Sequence, residues 1–188
     1  MTKGLEIRPA DKHDAAELAT TMRDADLDEI EANTGLAPLG VLMGGISMSA
    51  ECWVAIYKSQ VMAMWGVVPI HASFLAGRLG TGWLLTSDLV DRYPKAFWWA
   101  CQHELASLLE RWSGLTNAID TRHTKAIRWA QRLGFRLDGP QPHGRLGLPF
   151  QRFWVAKEDL HVRARNDCHD LGRSDRRRSE PVRQEDAG

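Results

Sequence analysis

The sequence has little tyrosine, little cysteine, no net charge and no long apolar run, and each shortage removes a class of function. Tyr57 and Tyr93 are its only tyrosines, against five Phe and eight Trp. Cys52, Cys101 and Cys168 are odd in number and widely spaced, which excludes a disulfide framework and points to a reducing compartment. The 24 Lys and Arg balance the 24 Asp and Glu, so no overall charge draws the chain to nucleic acid or a membrane. No stretch approaches the ~18 apolar residues of a membrane span. The opening Met-Thr-Lys-Gly-Leu-Glu-Ile-Arg lacks the apolar core of a secretion signal. The expectation is a soluble protein made in a cytoplasm.

The 188 residues suit one domain and a tail. Residues 1–158 read as the domain, large enough to fold without disulfides or metal. Residues 159–188 alternate Arg with Asp and Glu and hold few large apolar side chains, so they read as an Arg-rich, disordered C-terminal tail. The Arg173–Arg178 cluster (Arg173, Arg176, Arg177, Arg178) offers a contact to nucleic acid or to an acidic protein surface, or simply a solubilising end. His161, Cys168 and His169 fit no common metal spacing, so no metal site is expected.

Patterning gives the elements. Leu5–Arg8 is a strand, and Asp11 or Asp14 opens a helix carrying Ala15, Leu18, Ala19 and Met22. Asp26–Ala32 is helical, and Leu39–Met48 is apolar enough for a short buried helix. Cys52–Tyr57 and Val61–Val68 form a hairpin around Lys58-Ser59-Gln60. Gly77–Gly82 reads as a turn before a strand at Trp83–Thr86. Pro94 starts the longest helix, to about residue 112, with Phe97, Cys101, Leu105, Leu108 and Trp112 on one face. Leu115–Ile119 is a strand. Asp120 or Thr121 then caps a helix that ends at Gly134. Phe135 and Leu137 start a strand, Gly139–Gly147 is a loop, and Pro149–Val155 closes the domain. The order β-α-α-β-β-β-α-β-α-β-β implies an α+β fold, a mixed, mostly antiparallel sheet flanked by helices.

Two blocks carry a resemblance. One is Glu6-Ile7-Arg8-Pro9-Ala10 with Asp14 and Leu18. The other is Asn117 with Ala126-Ile127-Arg128-Trp129-Ala130-Gln131-Arg132-Leu133-Gly134-Phe135. Together they resemble the GNAT (acyl-CoA N-acyltransferase) superfamily across about residues 3–156. The resemblance implies a GNAT-like sheet and, in its enzymes, a pyrophosphate loop of the form Gln/Arg-x-x-Gly-x-Gly/Ala before the long helix. The matching segment Ser87-Asp88-Leu89-Val90-Asp91-Arg92-Tyr93-Pro94-Lys95 has no glycine, and Pro94 lacks an N–H. Asp88 and Asp91 set carboxylates where phosphates would lie, each costing about 1 kcal/mol at a surface-like dielectric. Gly77-Arg78-Leu79-Gly80-Thr81-Gly82 imitates a phosphate loop but precedes a strand rather than a helix. The Tyr that many of these enzymes place four residues before the helix-ending Gly is Ala130 here. His103 and His123 read as exposed helix histidines. His123 and Tyr93 are the candidates for acid–base work, and Arg92, Lys95 and Asn117 those for cofactor contact.

Trp83-Leu84-Leu85-Thr86-Ser87-Asp88, followed by Asn117, His123 and Leu133-Gly134, is similar to the internal virion protein A family and related GNAT-like proteins of short-tailed phages. That resemblance implies a structural role in virion assembly or genome delivery. Its partners would be other virion proteins, its location the host cytoplasm or the virion, and it would use no cofactor. The alternative is an acyl-CoA-dependent N-acetyltransferase with a non-standard site, using acetyl-CoA.

Overall fold

Val61–Val68, the longest β-branched and apolar run, lies in the strand buried on both faces, and the layers build outward from it. The computed structural model describes residues 4–70 and 77–158. Its strands are β1 (Leu5–Pro9), β2 (Glu51–Tyr57), β3 (Gln60–Ile70), β4 (Leu79–Thr86), β5 (Gly114–Asp120), β6 (Arg136–His143) and β7 (Leu148–Ala156). They form one sheet in the order β1-β2-β3-β4-β5-β7-β6. Every pairing is antiparallel except β4 with β5. That pair is joined by a helical crossover, as parallel strands require. The helices are α1 (Lys12–Thr21), α2 (Asp24–Asn33), α3 (Pro38–Met48), α4 (Leu89–Arg92), α5 (Pro94–Arg111) and α6 (Thr124–Leu133). The expected α+β class and mixed, mostly antiparallel sheet are what the chain adopts.

Each face of the sheet has its own core. Ala15, Leu18, Ile30 and Leu42 from α1–α3 pack on Val54, Val61 and Met64. Phe97, Leu105, Leu108 and Leu109 from α5 pack on Ala63, Trp65 and Val67 on the other side. A bulge between Ala55 and Ile56 of β2 leaves Met62 unpaired in β3, which swaps the faces of Val61 and Met62. Asp11 is the N-cap of α1, and Asp14 returns the bond to the Asp11 N–H, completing a capping box. Arg8 grips Asp14 through both oxygens at 2.7 and 2.8 Å. Lys58 and Ser59 both have positive φ (52° and 62°), the two-residue turn that matches strand twist.

Several expectations are corrected. Only Leu42 of α3 is fully buried, while Leu39, Met43 and Met48 are 45%, 42% and 65% exposed. Gly45 is needed because Trp83 packs on it: a Cβ there would lie 2.7 Å from the indole. Gly80 and Gly82 are strand residues of β4, not a turn, and Gly80 admits Val67 and Trp112. Pro140 and Pro142 lie inside β6 rather than in a loop. They are tolerated because β6 is an edge strand with no ladder bond to give on its outer side. The turn α4 has no signal in the pattern; Leu89 and Val90 draw it into the core. The tail, with the Arg173–Arg178 cluster and His161, Cys168 and His169, lies outside the described residues. Among the described residues no helix is long and apolar enough to cross a membrane.

Glu51 fastens β2 to the end of α5. It accepts from the indole N–H of Trp112 at 2.6 Å, from that of Trp53 at 3.1 Å, and from Arg111 at 2.7 Å. Burial pushes its carboxyl up, but these donors together hold it below the usual carboxylate range. Its stabilising effect is therefore present above the unfolded pKa of about 4.3 and disappears as pH falls through the lower folded value. Glu51→Ala is expected to cost about 2–3 kcal/mol in urea denaturation, since it orphans the buried Trp112 N–H. Glu51→Gln is expected to flatten the loss of stability between about pH 5 and pH 3 relative to the parent chain.

Candidate active site at the parting strands

β4 and β5 pair only through Leu79–Gly114, Gly80–Leu115 and Thr81–Thr116, and then part. Backbone groups freed by such a fork need other partners. At the crotch the Asn117 amide donates to the Gly82 carbonyl at 2.9 Å and accepts from its neighbour's N–H, that of Ala118, at 2.8 Å. At the open end the buried Asp26 carboxylate of α2 accepts from the Thr86 N–H at 2.8 Å and the Thr86 hydroxyl at 2.6 Å. Between them lies a cavity of about 250 Å³, mostly apolar, walled by Leu85, Ala118, Phe97, Cys101, Ala126 and Trp129.

Its polar end is a cluster of charged side chains. Arg23 donates through Nη2 to Asp26 at 2.9 Å and to His123 Nε2 at 3.3 Å. A guanidinium has no acceptor, so Nε2 accepts and Nδ1 carries the proton, which points to Glu29 Oε2 at 3.3 Å. Glu29 Oε2 also accepts from the Asp120 N–H at 3.3 Å, whereas Oε1 accepts no bond from the described residues. Glu29 is the least buried carboxylate of this cluster and borders the cavity. Beside it, burial pushes the Asp120 carboxyl up, but the Arg122 side chain and N–H hold it below the ordinary range. Arg23 Nε and the Trp65 indole N–H are buried without partners, and both residues border the cavity. Buried donors left in this way are costly.

The sequence candidates separate. His123 and Asn117 meet at the cavity. His123 is not an exposed first-turn histidine: it is the N-cap of α6, 8% exposed, held by α2. Asp120 does not cap α6; its oxygens are taken by Arg122. The Tyr93 hydroxyl accepts from Lys58 at 3.0 Å while its ring leans on Tyr57, and it does not border the cavity. Arg92 is exposed on α4, and Lys95 borders a shallow groove with Trp98, Trp129 and Arg132. His103 is exposed and stacks on Trp99. Ala130 forms part of the cavity wall, so no phenol stands there. The sequence reading missed Arg23, Asp26 and Glu29. Their signal was faint: two acids three apart on a helix whose buried face also carries Ile30.

The segment before α5 offers a diphosphate few main-chain nitrogens. The N–H of Ser87 donates to Met62, those of Val90, Asp91, Arg92 and Tyr93 close α4, and those of Ala96 and Phe97 return to Tyr93, which leaves those of Asp88, Leu89 and Lys95. Pro94 has none. The cavity itself fits the pantetheine arm of an acyl thioester in volume and in its largely apolar lining.

No family model and no curated protein matches the chain. Solved structures do. An aminoglycoside N(6')-acetyltransferase from Legionella pneumophila matches 87% of this chain and 98% of its own, with TM-score 0.67 and 12% identity. A putative acetyltransferase from Salmonella typhimurium, solved with its cofactor acetyl-CoA, matches 82% and 95%, with TM-score 0.60 and 15% identity. A GNAT-family acetyltransferase from Bacillus anthracis matches 84% and 98%, with TM-score 0.60 and 15% identity. The chain has the GNAT acetyltransferase fold. These neighbours overturn the reading as a virion-assembly component: those named here share the architecture over most of the chain, are acetyltransferases, and include no virion protein.

Burial pushes the Cys101 thiol up to about 12 and that of Cys52 up to about 11. Cys101 in the cavity wall is therefore a protonated packing residue rather than a nucleophile. Iodoacetamide labelling of the native chain at pH 8, read by mass spectrometry, is expected to modify both at least 100-fold more slowly than in the denatured chain, where thiols have pKa about 8.5.

Proposed function

We propose that this protein is an N-acyltransferase that takes an acyl group from a pantetheine thioester, the arm that coenzyme A carries, and gives it to an amine. The observation that carries this reading is the fork between β4 and β5, whose apolar cavity ends on Glu29 with a carboxylate oxygen to spare. The acetyltransferase neighbours support it at the level of fold. One of them is an acetyltransferase for aminoglycosides, which are amines.

The chain's own groups divide the work. Asp26 is consumed by Thr86 and Arg23 and holds the open end of β4. Arg23 fixes the His123 tautomer, and His123 fixes Glu29. Glu29 attracts an ammonium ion by charge and takes its proton at Oε1. The new N–C bond forms as the C–S bond breaks, the electron pair leaves with sulfur, and the second proton on nitrogen passes to water. With Ala130 where a phenol would stand, the released thiolate takes its proton from water. Transfer runs directly from thioester to amine, the buried Cys101 thiol being no nucleophile for an acyl-enzyme. Asn117 keeps the fork from zipping shut.

Incubation with acetyl-CoA and a panel of polyamines and aminoglycosides should give amine-dependent thiol release. Glu29→Gln is expected to lower kcat by about 10²–10⁴-fold, the usual worth of a positioned base, with the deficit shrinking as pH rises and the free amine becomes available. Turnover indifferent to Glu29, or thiol release indifferent to amine, contradicts the reading.

A further inference from the structure

Resting on the transferase reading, we infer that the acyl donor is presented on the phosphopantetheine arm of an acidic acyl carrier protein rather than as free coenzyme A. The arm has a slot and the diphosphate has no cradle. Coenzyme A brings a diphosphate and a further phosphate to the mouth of the slot, whereas a carrier-bound arm brings a single phosphodiester. The mouth leaves the N–H groups of Asp88, Leu89 and Lys95 free among the described residues, but they sit on two separate turns with Pro94 between them and make no continuous cradle of the kind that multiple phosphate charges need. The turn that consumes the rest is fixed, because Leu89 and Val90 anchor it in the core. Asp88 adds like charge at the same place, whereas Asp91 is taken up by Lys125.

The surface around the mouth is basic in a chain whose total charge is zero. Lys125, Arg128 and Arg132 recur at i, i+3 and i+7 along one side of α6, and all are exposed. Lys95 shares a groove with Arg132, and Lys125 reaches across to Asp91 beside Arg92. The three α6 cations span about 10 Å at 1.5 Å per residue. That is wide for one phosphodiester and suited to an acidic helix docking beside it, with charge complementarity steering the encounter. The products are the amide and the carrier with a free thiol.

Calorimetry on the full chain tests this with three probes: acetyl-pantetheine, acetyl-CoA and the acetyl-loaded acyl carrier protein of a bacterial fatty-acid synthase. Acetyl-CoA is expected to bind within threefold of acetyl-pantetheine. The loaded carrier is expected to bind at least tenfold more tightly than either, weakening with salt. Arg128→Glu is expected to weaken carrier binding about tenfold and leave acetyl-pantetheine unmoved. Acetyl-CoA binding more than threefold tighter than acetyl-pantetheine overturns the inference alone and makes the Lys95–Arg132 groove a nucleotide site. A carrier no tighter than the bare arm also overturns it alone. Failure of acetyl-pantetheine and acetyl-CoA alike to bind overturns the transferase reading, and this inference with it.

Discussion

Two strands that begin as partners and then part must each find other partners for their backbone groups, and the site follows from how this chain meets that demand. Asn117 serves both sides of the crotch with one amide. Asp26, from a helix sixty residues upstream, accepts both donors of Thr86 at the far end. A carboxylate buried for that purpose needs a cation, which is Arg23. The same guanidinium reaches His123, and His123 leads to Glu29. The polar end of the cavity is thus the outer part of a network whose inner part holds the fork open. Cutting a network of this kind at one member leaves the others buried and unpaired.

The segment that follows Thr86 shows a different balance. In a phosphate-binding loop, backbone N–H groups are left free to face an anion. Here the equivalent stretch has wound into a turn of helix, because Leu89 and Val90 gain more by entering the core than the amides do by waiting for a ligand. The same residues that stabilise the domain thereby consume most of the main-chain donors a diphosphate would use. The fold is that of the GNAT acetyltransferases, while the loop departs from the phosphate-loop pattern. The two observations are compatible once the arm and the phosphates of a donor are considered separately.

Much of the fold was legible because it rests on local physics. The apolar run of β3, the Asp11 cap, the Pro94 start and the left-handed Gly134 each state their structure within a few residues. Errors arose where distant chain decides. Gly80 reads as a turn until Val67 and Trp112 are seen to require its missing Cβ. Pro140 and Pro142 read as loop until β6 is found on the sheet edge. The absent glycine in Ser87–Lys95 was a sound sign that the phosphate loop is unusual, but it could not distinguish a lost activity from an altered one. Of the site, His123 and Asn117 stood in the recognisable closing block. Glu29 was invisible because its significance lies in a contact ninety-four residues away.

The central claim is that the fork between β4 and β5 receives an acylated pantetheine arm. Methyl NMR on the alanine-labelled chain with acetyl-pantetheine addresses it without reference to any acceptor or phosphate. The account predicts intermolecular NOEs from the ligand to the Ala118, Ala126 and Ala130 methyls, which border the cavity. NOEs confined to alanines away from the cavity, such as Ala19, or a saturating titration that moves none of the three, would contradict it.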